Sequence, residues 1–179
     1  MAHLSTRHLT VAVDLRGHGT SPGTAAECSI ERLGADVGEV IQALALPPAV
    51  LVGHSMGCRV VIEAALQAPA QTAGIVLIDG SQFVPAMETV LKQTFATPNG
   101  FEALTRRWFE EMFTAKSNAA VVASVVERAG RLPRSIGEKL LLDMLRYDVG
   151  RLSTSLADLR VPGMALQTTH SNEKAHADR

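Results

Sequence analysis

Four short apolar runs, separated by stretches of helical period, constrain this chain more than any other feature. They are Thr10 to Val13, Ala49 to Val52, Ala73 to Ile78 and Val161 to Leu166. Each stops at a residue that breaks a strand or carries chemistry: Asp14, Gly53, Asp79 and Gln167. Between the first two runs, Ile30, Leu33, Val37, Val40, Ile41 and Leu44 recur at helical spacing. Ser29 stands ready as N-cap and Pro47-Pro48 as the stop. After the second run, Val60, Val61, Ala64 and Ala65 share one helical face ahead of Pro69. Strand-helix-strand alternation predicts an α/β fold with a mostly parallel sheet, because each right-handed crossover returns the chain to the same edge. Helices are expected on both faces. Ligands of such sheets bind beyond the carboxyl ends of the strands, so Asp14, Ser55, Asp79 and the segment after Gln167 are expected on one rim.

Composition narrows the partners. With 179 residues, 46% of them hydrophobic, the chain can bury a single core. Its formal net charge of −1 and lack of a Lys/Arg cluster argue against nucleic acid. A small molecule is the expected partner. The start, MAHLSTRHLT, lacks the apolar run of a signal peptide, and no stretch is long and apolar enough to span a bilayer. A cytoplasmic protein with no membrane partner is expected. Cys28 and Cys58 show neither disulfide-framework nor zinc-site spacing and are expected as reduced packing residues. No metal or organic cofactor is expected.

Residues 83–148 differ from the rest. Four short helices are expected, around METVLKQTF, FEALTRRWFEEMF, AAVVASVVERA and IGEKLLLDMLRY. Every aromatic residue lies here: Phe83, Phe95, Phe101, Trp108, Phe109, Phe113 and Tyr147. Large rigid apolar side chains gathered in one inserted layer suit a lid over a hydrophobic pocket, and equally suit the layer's own packing core.

The stretch LVGHSMGCRVV, Leu51 to Val61, places G-x-S-x-G between the second apolar run and a helical run. So sharp a strand-to-helix turn asks for small flanking residues, here Gly53 and Gly57, and lifts the serine above the sheet at a helix N-terminus. There the Met56 N–H can donate to an oxyanion and the helix dipole favours negative charge.

These residues resemble the α/β-hydrolase family. The resemblance rests on VAVDLRGHGTS (Val11 to Ser21), LVGHSMG (Leu51 to Gly57), AGIVLIDGS (Ala73 to Ser81) and LADLRVPGMALQ (Leu156 to Gln167), in the family's order with a helical cap in the usual place. It is closest in kind to capped serine esterases. It implies a core of residues 1–82 and 149–179, a cap of residues 83–148, Ser55 as nucleophile and Met56 as oxyanion donor. It further implies that the family's N-terminal strands, and its C-terminal strand with the catalytic histidine, have no counterpart here.

The base and the acid are therefore open. His18 and His54 stand where the family has structural histidines, while His3, His8 and His176 read as surface or tail residues. His170 follows the last apolar run on the active rim, as a candidate base. Asp79 matches the position from which some relatives take the triad acid; the loop after Gln167 is the alternative, with Glu173 just beyond it. Asp14 and Arg16 are expected to tie loops near the site, and Asp148 to be a helix-end or loop residue. The leading expectation is a serine hydrolase of carboxylic esters with an apolar portion, acting through a Ser55 acyl-enzyme. A catalytically impaired fragment or binding module keeping the elbow and lid pocket is the second, and a cofactor-free haloperoxidase or carbon–carbon hydrolase the third. The gap left by a missing strand is expected to close by direct pairing of Val11–Asp14 with Ala49–Gly53, and exposed sheet edges to favour self-association.

Overall fold

The computed structural model describes residues 4–167. Three strands, β1 (Ala49–His54), β2 (Thr72–Ile78) and β3 (Gly163–Leu166), form one parallel sheet in the order β1-β2-β3. Helix α1 (Ile30–Ala43) precedes β1, and α2 (Met56–Gln67) carries the chain from β1 to β2. Between β2 and β3 come α3 (Met87–Phe95), α4 (Gly100–Glu111), α5 (Ala119–Ala129), α6 (Arg134–Gly150) and α7 (Leu152–Asp158). The register aligns Val52 with Val76 and Met164, and His54 with Ile78 and Leu166. All three carboxyl ends therefore share one rim.

Helix α1 starts where its sequence says it should: the Ser29 hydroxyl accepts the Arg32 N–H at 3.1 Å. Asp143 of α6 reinforces that start by accepting the Ile30 N–H at 2.7 Å. The buried stripe of α1 is Ile30, Leu33 and Ile41. A side chain at Gly34 would press on Glu63 and the Ala64 amide, so glycine there lets α1 lie close against α2. Helix α2 is buried nearly all round, with Cys58, Val60, Val61, Ile62, Ala64 and Ala65 all in the core, the pattern of a central helix. Val60, Val61 and Ile62 each contribute about 1.5–3 kcal/mol by leaving water.

On the α2 side of the sheet, Leu51 and Ile75 pack with Ile41, Val61 and Ile62, and with Leu152 and Leu159 at the ends of α7. The other face is open among the described residues: Val50 is 59% exposed, Val52 56% and Met164 58%. The expectation of helices on both faces is thus corrected to one covered face.

The expected strand at Val11–Asp14 is also absent. The segment belongs to no strand, and Val11 and Val13 are exposed. Its far end is held beside α1 instead of β1. Arg16 makes two bonds to Asp36, at 2.9 and 2.6 Å, and the Cys28 thiol points at the Arg16 carbonyl. Asp14 accepts bonds from Thr20 and Ser21 in the turn that follows. These ties win over ladder pairing, which a lone exposed strand would join with little burial to favour it.

The helices of the inserted block match the sequence reading, and their packing divides. Leu91, Leu104 and Leu145 form a small core with Phe83, Phe95 and Trp108 around it. Phe101 lies over Gly137, where any side chain would collide with its ring. Helix α6 serves two cores, because Ile136, Leu140, Met144 and Tyr147 pack with Cys28, Ile30, Leu33 and Val60. Helix α5 packs on α4 and buries none of its residues fully.

Candidate active site

A single residue, Ser55, makes the turn between β1 and α2. It does so at φ 51° and ψ −116°, a region that costs a side-chain-bearing residue about 1–3 kcal/mol. Its N–H donates to the Ile78 carbonyl at 3.0 Å, and its own carbonyl accepts the Cys58 N–H at 3.0 Å. The backbone of the turn is thus fastened on both sides, while the hydroxyl makes no capping bond to α2 and the residue stays partly exposed. Met56 and Gly57 open the helix, so their N–H groups have no carbonyl one turn back within α2.

The two glycines of the motif differ in their reasons. A Cβ at Gly53 would collide with the Gly57 carbonyl, so α2 folds back onto β1 only because glycine stands there. A Cβ at Gly57 would meet open space. The expectation that both positions must be small therefore holds for Gly53; no described neighbour demands it at Gly57.

Asp79 leaves β2 as Ser55 leaves β1. It follows Ile78, the register partner of His54, has φ 46°, and donates its N–H to the Leu166 carbonyl at 2.8 Å. Ser55 and Asp79 thus stand at the ends of adjacent strands, whose spacing is about 4.8 Å. The fold brings Ser55 and Asp79 to one rim, as the alternation of runs predicts, with Met56 beside Ser55; Asp14, expected with them, lies in no strand and is tied to Thr20 and Ser21.

Two residues that sequence reasoning did not place at the site lie directly beneath it. Arg59 and Asp148 are 2% and 3% exposed. The Arg59 Nε donates to Asp148 at 2.7 Å, and its Nη2 meets the other carboxylate oxygen. The same guanidinium donates to the Ser81 carbonyl at 2.5 Å and to the Ser55 carbonyl at 3.3 Å. Asp148 also accepts the Phe83 N–H at 2.7 Å, and the Phe83 ring lies 5.8 Å from the Arg59 guanidinium carbon. Asp148 is a helix-end residue, as expected, but a buried and charge-paired one. The available signal was Arg59 itself, a charge inside the apolar run of α2.

Glu63 is a second such charge, fully buried. It accepts bonds from the Tyr147 hydroxyl at 2.9 Å, Arg151 Nε at 2.8 Å and the Ser155 hydroxyl at 3.2 Å. Burial pushes its carboxyl up, but the bonds from Arg151, Tyr147 and Gln67 outweigh it and leave the carboxyl below its usual range. Burial also raises the Tyr147 hydroxyl well above the usual tyrosine range. This knot joins α2, α6 and α7.

The remaining candidates sit apart from this chemistry. His18 places Nδ1 3.1 Å from the Arg16 carbonyl, His54 is exposed at the end of β1, and His8 is exposed. His3, His170, Glu173 and His176 lie outside the described residues. Cys28 and Cys58 are free and buried, and burial raises both thiols. Among the described residues, no group of three His, Cys, Asp or Glu is placed to hold a metal ion. No described helix is long and apolar enough to cross a membrane. One open groove of about 560 Å³ lies between α4 and α5, and another of about 490 Å³ between α3 and α6. Neither is lined by Ser55, and the block's aromatics mostly pack on one another, as in the Phe83–Trp108 and Phe95–Phe101 pairs.

Comparison with known proteins gives this rim its context. A 2-(acetamidomethylene)succinate hydrolase of Mesorhizobium japonicum is 39% identical over 89 residues, which cover 50% of this chain and 31% of the relative's length. An esterase of Exiguobacterium antarcticum superposes with a TM-score of 0.71 at 16% identity, covering 84% of this chain and 59% of the esterase. A hydrolase of Oleispira antarctica gives 0.70 at 15% identity, covering 86% and 60%. These structures are alike in fold, and the chain spans less than two thirds of each of these relatives. The profile of the alpha/beta hydrolase family matches residues 1–176. The chain belongs to the alpha/beta hydrolase family.

Proposed function

We propose that the chain is a serine hydrolase whose nucleophile is Ser55, acting on carboxylic esters or related acyl compounds with an apolar portion. The observation that carries this reading is the Ser55 backbone at φ 51°, which sets a hydroxyl unused for capping at the N-terminus of α2. Strain of that kind is kept where geometry at a site matters. In the reaction, Ser55 Oγ bonds to the acyl carbon, the alcohol leaves, and water then cleaves the acyl-serine to a carboxylic acid. The Met56 N–H donates to the oxyanion, where the α2 dipole favours negative charge. Asp79, on the neighbouring strand end, is the acid that orients a base. The base is the open position, and His170, after β3, is its candidate.

Residues 83–148 act as the cap, with 1–82 and 149–179 as the core. The block's aromatic side chains suit a substrate with an apolar part. The reading includes no metal or cofactor, a cytoplasmic location, and self-association through exposed sheet edges. An impaired turnover is its second form, favoured by the histidines among the described residues: His18 Nδ1 faces the Arg16 carbonyl, and no bond joins His8, His18 or His54 to Ser55. The test is incubation with a fluorophosphonate and with p-nitrophenyl esters of increasing chain length. Labelling and hydrolysis that vanish in Ser55→Ala support the assignment; identical behaviour of wild type and Ser55→Ala overturns it. Labelling without turnover selects the impaired form.

A further inference from the structure

We propose that Arg59 is a positioning residue for Ser55, held in place by both roots of the helical block; this rests on reading Ser55 as the nucleophile. The block leaves the sheet through Ser81 and Phe83 and returns at Asp148, near the end of α6. Both roots converge on one guanidinium. Asp148 accepts from two of its nitrogens, the Ser81 carbonyl lies at 2.5 Å, and the Ser55 carbonyl at 3.3 Å. The Phe83 N–H bonds the same carboxylate at 2.7 Å.

Net stability does not account for this arrangement, since a buried ion pair is often no better than an apolar pair of similar volume. What a guanidinium adds is a rigid planar fork that holds several acceptors at fixed angles. One of those acceptors belongs to the residue with φ 51°. A strained turn persists only when its surroundings over-determine it. The Arg59 bond fixes the Ser55 carbonyl, and with it the peptide that carries the Met56 N–H. Placement of the cap roots and placement of the nucleophile are therefore one mechanical problem, solved by one side chain.

The test is the double variant Arg59→Met/Asp148→Asn in the intact chain. It leaves no charge at this buried pair, and the introduced asparagine retains an acceptor for the Phe83 N–H, so the fold is expected to be kept while the bonds to Ser55 and Ser81 are lost. Two readouts separate this proposal from the nucleophile reading. The first is amide hydrogen exchange: Ser55 N–H is expected to exchange about tenfold faster or more, with Val52 in the β1 ladder unchanged. The second is fluorophosphonate labelling followed by intact mass. There Ser55 Oγ bonds to phosphorus, fluoride leaves and the hydroxyl proton goes to solvent; the rate is expected to fall about 100-fold. Wild-type exchange at Ser55 in the folded variant would overturn the proposal, whatever the labelling. Absence of labelling in the wild-type chain would overturn the nucleophile reading alone, leaving exchange to decide the role of Arg59. If the double variant does not fold, Arg59→Lys replaces it. One ammonium keeps a charge for Asp148 but cannot span the carbonyls of Ser55 and Ser81, so faster Ser55 exchange supports the proposal and wild-type exchange overturns it.

Discussion

Backbone strain at this rim sits in two residues, Ser55 at φ 51° and Asp79 at φ 46°. Glycine tolerates such angles without a steric penalty. Ser55→Gly is therefore expected to stabilise the chain by about 1 kcal/mol in urea unfolding while abolishing fluorophosphonate labelling. A loss of stability would show that the serine hydroxyl makes a bond not accounted for. Gly53→Ala is expected to cost about 1–3 kcal/mol, because its Cβ meets the Gly57 carbonyl. Gly57→Ala, facing open space in the first turn of α2, is expected to be neutral or stabilising by up to about 1 kcal/mol. The motif was legible because a turn this tight leaves a glycine signature in neighbouring positions. Arg59 and Asp148 were not, because residues 89 apart in sequence meet only once α6 has folded over α2.

Among the elements, α2 and α6 do most to organise the molecule, and the buried acid on each is testable. Glu63 and Asp143 both have carboxyls held below their usual values. Burial opposes this in each; bonds from Arg151 and Tyr147 to Glu63, and from Arg146 and the Ile30 N–H to Asp143, prevail. A carboxyl depressed in the folded state binds fewer protons there than in the unfolded chain, so its contribution is present at neutral pH and is lost as pH falls through the folded value. Urea midpoints are expected to drop below about pH 4–5, the ordinary carboxyl range, and Glu63→Gln is expected to flatten that drop. An unchanged acid slope in Glu63→Gln would mean that other carboxyls govern it. Helices α1 to α6 could be read from apolar spacing, the Ser29 cap and proline stops. Val11–Asp14 was misread because a short apolar run stopped by a turn signals only the propensity for a strand, whereas a strand exists only beside a neighbour. Helix α7 was missed because LSTSLAD has little helical periodicity, and what holds it is the Ser155 bond to Glu63 and the packing of Leu152 and Leu159 at its two ends.

For the molecule as a whole, the sheet face left open among the described residues is the surface expected to govern behaviour in solution. Val52, Val76 and Met164 align across three strands, and the outer two are more than half exposed. Apolar strands with free edges invite pairing with another copy. Sedimentation is expected to show association that grows with concentration and weakens in Val52→Lys. A monomer at every soluble concentration would remove that part of the reading. Helix α6 has a different consequence at this scale, since it lies in the core shared with α1 and α2 and also meets the leucine cluster beneath α3 and α4. Trp108, the chain's single tryptophan, packs on that cluster and 6.1 Å from Phe83. One helix common to both cores couples the leucine cluster to the sheet-side packing, so the indole is expected to act as an optical gauge of the distant sheet. Its emission and the far-ultraviolet dichroism of the whole chain should change together, with one midpoint.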